Sequence, residues 1–129
     1  MQENERLRRL VADEVADCTE GDIEDRLEWL QDLEEEVDTR TSAIEPRLFS
    51  KLGDETRYTI VRVLHAADKD LCGCELEPFL DVSESARSHA LSDLVDVGLV
   101  ERRKEGKWRY YTVTETAEAL LDSLDSVDP

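Results

Sequence analysis

Asp81-Val82-Ser83-Glu84-Ser85-Ala86-Arg87-Ser88-His89-Ala90-Leu91, running on through Leu94 and Val97 to Gly98, is the stretch from which the architecture is read. Ser83 has the side chain of an N-cap, and Gly98, lacking a side chain, is placed to stop the helix, so the spacing predicts a helix from Ser83 to about Val97. At about 100° per residue, Ala86, Ala90, Leu91, Leu94, Val95 and Val97 share one arc. Ser85, Ser88, His89, Ser92 and Asp96 share the opposite one. A helix with so small, polar and hydrogen-bonding an exposed arc suits insertion into a nucleic-acid groove. Arg87 falls inside the apolar arc. Either its guanidinium snorkels out to a phosphate or to Asp81, or it weakens packing there.

Downstream, Leu99–Lys104 and Lys107–Val113 alternate around Glu105-Gly106, a predicted two-residue hairpin turn whose glycine supplies a positive φ. Thr114 caps a last helix carrying Ala117, Leu120, Leu121 and Leu124. Upstream, Leu48, Phe49 and Leu52 make a short helix stopped at Gly53, and Asp54 caps a helix holding Ile60, Val61, Val63 and Leu64. A short helix through Leu76, Phe79 and Leu80 precedes the turn at Asp81-Val82. This order describes a mainly α winged helix-turn-helix with a β-hairpin wing over residues 46–125. Residues 1–45 read as an acidic helical extension serving dimerisation or packing. In it Leu7, Val11, Val15 and Cys18 form one stripe ended at Gly21, and Asp22 caps a second helix with Ile23, Leu27, Leu30, Leu33 and Val37.

The 129 residues carry a formal net charge of −17, with 33 acidic against 16 basic side chains. Such a charge opposes nucleic-acid binding in dilute salt. It fits a protein adapted to molar intracellular salt, where the screening length falls to about 3 Å and diffuse charge hardly reaches a duplex. An ordinary acidic interaction protein is the competing reading. Against the overall trend, Arg102, Arg103, Lys104, Lys107 and Arg109 gather in eight positions with Glu105 alone opposing them. That reversal reads as an electrostatic footprint on phosphates, the bland alternative being lysines and arginines that merely cover an exposed hairpin. Trp108, Tyr110 and Tyr111 are expected to pack the wing onto the domain, since a duplex offers few unstacked faces. His65 reads as a surface or partly buried polar residue.

Three cysteines, an odd number, argue for reduced thiols in a cytoplasmic setting. No stretch of 18 apolar residues is present, so no membrane partner is expected. With no nucleophile–base set and no phosphate-cradling glycine loop, the chain does not read as an enzyme, and no cofactor is required. Cys72-Gly73-Cys74 is the chemically distinctive element. Residues i and i+2 point about 200° apart on an α-helix but to one side of a strand, so both sulfurs reach one ion only if the segment is extended or the first helical turn opens. Gly73 makes such a distortion inexpensive. The positive end of a helix would favour thiolate there. Thiolates select soft ions: trivalent arsenic or antimony, or Zn²⁺, Cd²⁺ or Cu⁺. Cys18 supplies a third ligand, in cis or from a second subunit, or is a small buried hydrophobe.

Four segments together make the chain resemble the ArsR/SmtB-type family of metal- and metalloid-responsive repressors. They are Leu48 to Arg57, Leu71-Cys72-Gly73-Cys74-Glu75-Leu76, Val82 to Leu91, and Gly98-Leu99-Val100 through Tyr110-Tyr111. The resemblance covers about residues 46–125 and implies a homodimer on an inverted-repeat operator of double-stranded DNA, released when metal or metalloid binds. It places Glu84, Ser85, Ser88 and His89 among the DNA-contacting residues and Cys72 and Cys74 as the metalloid pair. To these the charge and helix patterns add Arg87, Ser92, Arg102, Arg103, Lys104, Lys107 and Arg109 as expected DNA contacts. Two departures stand out. Glu77 occupies the place of a third cysteine found in some members, and Glu115 to Pro129 lacks the histidines of a second zinc site. A thiol-redox regulator using the same cysteines, and an acidic dimeric module without DNA binding, are the alternatives.

Overall fold

The computed structural model describes residues 4–41 and 46–127. The chain divides into two compact units, residues 1–43 and 44–129.

In the first unit, α1 (Glu5–Glu14) and α2 (Glu20–Thr41) lie together. Ion pairs tie them, Arg8 to Glu20 at 2.8 Å and Arg26 to Glu14 at 2.6 Å. Val11 and Ile23 are buried, whereas Leu30 and Val37 further along α2 are exposed. The boundaries differ from the sequence reading. α1 ends at Glu14, before Val15 and Cys18, and Gly21 lies in the first turn of α2. The turn is set by Thr19, whose hydroxyl accepts from the Asp22 N–H at 3.4 Å while the Asp22 carboxylate accepts from the Thr19 N–H at 2.8 Å. This reciprocal capping moves the cap three residues upstream of Asp22.

The second unit runs α3 (Arg47–Leu52), α4 (Glu55–Ala67), β1 (Leu71–Cys72), a 3₁₀ helix (Gly73–Phe79), α5 (Glu84–Asp96), β2 (Val100–Glu105), β3 (Trp108–Val113) and α6 (Glu115–Asp125). Three helices begin at side-chain caps: Asp54 accepts from the Arg57 N–H, Ser83 from Ala86 and Thr114 from Ala117, all at 3.1–3.2 Å. Ile60, Leu64, Leu76, Leu94, Leu99 and Leu121 are fully buried, so α4, the 3₁₀ helix, α5, the start of the wing and α6 share one core. At roughly 25 cal/mol per Å² of apolar surface, these five leucines and Ile60 contribute a large share of the stability of the unit. On α5 the buried residues are Ala90, Leu91 and Leu94, while Ala86, expected on the apolar arc, is exposed. It sits on the first turn, which projects beyond the core. On the 3₁₀ helix Leu76 alone is buried, and Phe79 is exposed.

After α5 the chain reverses through a Schellman closure. Gly98 has φ +79°, its N–H reaches the Val95 carbonyl at 3.1 Å, and the Leu99 N–H reaches that of Leu94 at 3.0 Å. Leu94 and Leu99 both join the core, which fixes the angle between helix and wing. The sheet is antiparallel in the order β1-β3-β2. Its β1 strand is absent from the sequence reading, because two residues give no periodicity; Leu71 pairs with Tyr111 and Cys72 with Tyr110. The hairpin turn is one residue later than expected. Glu105 still pairs with Trp108, leaving Gly106-Lys107 as the two-residue loop, with Gly106 at φ +63°. A glycine first in the loop followed by a negative φ is the arrangement of a type II′ turn. This is a winged helix-turn-helix, with α5 in the recognition position and β2–β3 as wing.

Candidate thiol site and nucleic-acid interface

Cys72 ends β1 in extended geometry (φ −67°, ψ 147°) and stands as N-cap of the 3₁₀ helix, so Cys74 falls in its first turn. This strand-to-helix boundary solves the i, i+2 problem. All three cysteines are free, and the Cys74 thiol donates to the Cys72 sulfur at 3.1 Å. Glu75 closes the turn by accepting from the Cys72 N–H at 2.8 Å. The helix start does not lower the Cys74 thiol as the sequence suggested. Its pKa is raised above the usual thiol value, first by the hydrogen bond to Cys72, then by burial and by the charges of Cys72 and Glu75. The neighbouring sulfur 3.1 Å away outweighs the backbone hydrogen bond at Cys74, which by itself lowers the value.

Cys18 lies between α1 and α2, half-buried, its thiol donating to the Thr19 carbonyl at 3.6 Å. Among the described residues, no group of three or more His, Cys, Asp or Glu side chains is arranged to hold a metal ion. The thiol pair lines a cleft of the second unit.

That cleft, about 530 Å³, brings together what the sequence kept apart. Cys72, Gly73 and Cys74 form one wall, Glu84, Arg87, Ser88 and Leu91 of α5 a second, and Lys104, Lys107, Trp108, Arg109 and Tyr111 of the wing a third. Arg87 is half-buried there and forms no ion pair with Asp81 among the described residues, so it serves the cleft rather than that turn. Trp108 differs from expectation: it is 49% exposed at the wing tip, with Lys107 Nζ 5.4 Å from its ring, instead of packing into the domain. Tyr111 is the aromatic that enters the core.

The expected DNA-contacting residues of α5 are presented as a set. Glu84, Ser85, Ser88, His89 and Ser92 are all exposed, His89 with 80% of its side chain free. The wing cations, in contrast, divide by strand alternation. Arg102 pairs with Tyr111 and Lys104 with Arg109, placing Arg102, Lys104 and Arg109 on one face. Arg103 lies on the other and is occupied: it meets Asp70 at 2.9 Å and Glu105 at 2.5 Å, with its guanidinium 4.7 Å from the Tyr110 ring. It locks the wing to the segment leading into β1. Sequence spacing gave no sign of this division.

A second network escaped the sequence reading. Asp93, 15% exposed, draws Arg57 (3.4 Å) from α4 and Lys51 (3.6 Å) from α3, and His89 approaches it at 3.6 Å. Arg57 also donates to the Lys51 carbonyl at 2.6 Å. The network fixes α5 against the two helices behind it. His65 pairs with Asp122 at 3.0 Å, joining α4 to α6 away from the cleft.

No protein-family model matches the chain. It is 44% identical over 125 residues to a Halobacterium salinarum protein provisionally named arsenical resistance operon repressor ArsR, covering 97% of both chains. A second protein of that organism, provisionally named ArsR2, is 48% identical over 91 residues, 70% of this chain and 76% of that one. Relatives from Halobacterium fit the halophilic reading of the composition. Among solved structures, the transcriptional regulator HlyU of Vibrio vulnificus superposes with a TM-score of 0.58 at 33% identity, covering 75% of this chain and 95% of that one. No helix among the described residues is long and apolar enough to cross a membrane. A winged helix with a polar recognition face, a cationic wing and relatives of this kind is a regulator and not an enzyme: the chain belongs to the ArsR family of DNA-binding transcriptional repressors.

Proposed function

We propose that the chain acts as a homodimeric repressor on an inverted-repeat operator and leaves it when Cys72 and Cys74 bind a thiophilic metalloid, trivalent arsenic or antimony. The carrying observation is the placement of two free thiols, 3.1 Å apart, in one cleft with Glu84, Arg87 and Ser88 of the recognition helix. Soft thiolates select such an ion over oxygen-seeking cations. The thiol segment also touches both DNA-reading elements. Cys72 is paired with Tyr110 of the wing, and the 3₁₀ helix begun at Gly73 packs against α5. Drawing the two sulfurs onto one ion shifts this segment, and the wing and recognition helix lose the relative placement that a groove requires.

The test is operator binding with DNA from upstream of the coding sequence, under reducing conditions, titrated with arsenite. A dimer protects two half-sites about 10 base pairs apart, and arsenite releases it. Cys72→Ser and Cys74→Ser bind the operator and stay bound; a Cys72→Ser protein released like the parent would refute the metalloid reading. Release by peroxide with a two-hydrogen mass loss, and none by arsenite, would establish redox sensing instead. The pH dependence separates metalloid from divalent metal. Zn²⁺ or Cd²⁺ expels thiol protons and binds more tightly as pH rises, whereas arsenous acid exchanges hydroxide for thiolate and releases only water.

A further inference from the structure

The cleft that holds the thiols is cationic in a chain whose formal charge is −17. Arg87, Lys104, Lys107 and Arg109 line it, opposed by the single carboxylate of Glu84. None of these four cations has an ion pair among the described residues, while Arg103, outside the cleft, has two. Lys104 and Arg109 are moreover directly opposite one another in the ladder, a like-charge arrangement that costs stability unless an anion comes between. The space, about 530 Å³, is far more than one ion bound at the sulfurs occupies. Meanwhile two thiols leave a trivalent metalloid short of a third soft ligand.

We infer that the cleft takes a small anionic thiol, a thiol bearing carboxylates, whose sulfur completes the coordination of the metalloid at Cys72 and Cys74 and whose carboxylates rest on Arg87, Lys104, Lys107 and Arg109. The inference rests on the proposed metalloid site. In the exchange, three arsenic–oxygen bonds of arsenous acid break and three arsenic–sulfur bonds form, two to the protein and one to the small thiol. Each hydroxide leaves as water with the proton of the incoming thiol, and no atom changes oxidation state. The same cations that meet DNA phosphates then meet the ligand's carboxylates, so the ternary complex and the operator compete for one surface. Linkage makes this reciprocal: DNA weakens the adduct as much as the adduct weakens DNA binding.

The experiment uses the full chain and sodium arsenite with three thiols in turn: mercaptosuccinate, 2-mercaptoethanol and cysteamine. Affinity is read from the ultraviolet arsenic–sulfur band at the lowest potassium chloride concentration that preserves the circular dichroism spectrum. Arsenite is expected to bind on the order of tenfold more tightly with mercaptosuccinate than with mercaptoethanol, the effect of about one charge-assisted hydrogen bond. Cysteamine should be weakest, and native mass spectrometry should give one arsenic and one mercaptosuccinate per chain. In K104Q/K107Q the mercaptosuccinate-to-mercaptoethanol ratio falls toward one. Equal affinity with all three thiols would overturn the inference, as would loss of binding in Cys18→Ser with every thiol, which makes the third ligand the protein's own. Absence of the band with every thiol would instead overturn the metalloid site, and this inference with it.

Discussion

Cys74 shows how a single neighbour sets the chemistry of a side chain. Its thiol holds its proton above the usual range because the proton bridges to Cys72. With a folded pKa above the unfolded one, the stability this thiol contributes is present at neutral pH and is lost as pH rises through the raised value. In ion-free protein, alkylation of Cys74 followed by mass spectrometry against pH should reach half its limiting rate at higher pH than in the urea-unfolded chain. Cys72→Ala should bring that midpoint down, since the Cys72 sulfur is the first cause of the shift; an unmoved midpoint would show that burial dominates. Arg103 and Lys104 offer a second comparison between adjacent residues. Lys104→Ala should weaken binding to all sequences alike and shift the slope of log affinity against log salt by about one in the positive direction, one fewer counterion being released. Arg103→Ala should leave that slope unchanged, because Asp70 and Glu105 already neutralise the guanidinium. Its effect on stability should stay under about 1 kcal/mol, as for other exposed ion pairs.

Elements here are defined by their ends. Ser83 opens α5 and Gly98 closes it, the latter at a φ that an L side chain adopts only at a cost of roughly 1–2 kcal/mol. A Cβ at Gly98 meets nothing within 4 Å, so the penalty is conformational and not steric. Gly98→Ala should therefore lower the unfolding free energy by about that amount in urea titrations without abolishing the fold. Because the same closure sets the angle between α5 and the wing, operator affinity should fall further than stability alone accounts for. An affinity loss no greater than the lost folded fraction would show that the angle is fixed elsewhere, by the Asp93 network for instance. β1 works in the opposite manner, with no propensity of its own: its two residues are extended because β3 offers them a ladder.

For the molecule as a whole, the tension lies between a formal charge of −17 and a polyanionic partner. In the proposed operator complex the four cations collected on one cleft would meet the duplex at short range, where salt screens them less than it screens the diffuse acidic surface. Operator binding should consequently survive into molar potassium chloride. At low salt it should weaken, because repulsion among acidic surfaces opposes both the duplex and a second copy of the chain. Affinity measured across the salt series decides this, and a steady loss from millimolar salt upward would contradict it.

The sequence by itself determined the helices, the recognition face and the wing. Their signals are local: a capping serine, threonine or aspartate, a 3.6-residue apolar period, and a two-residue alternation each act within a few residues. It also singled out Cys72 and Cys74 as a pair of soft ligands, since residue type alone carries that preference. Where the local rules compete, as at Thr19 against Asp22 or at Glu105-Gly106 against Gly106-Lys107, the boundary falls one to three residues from where a single local signal puts it. Tertiary structure alone decided the rest. Whether two thiols at i, i+2 converge depends on β3 holding Cys72 extended while the 3₁₀ helix turns Cys74 back toward it. Which wing cations remain available depends on the strand register, which hands Arg103 to Asp70 and leaves Lys104 and Arg109 facing the cleft. The contacts that decide them, Cys72 with Tyr110 and Arg103 with Asp70, join residues more than 30 positions apart, and a linear pattern with a period of two to four residues holds no record of them.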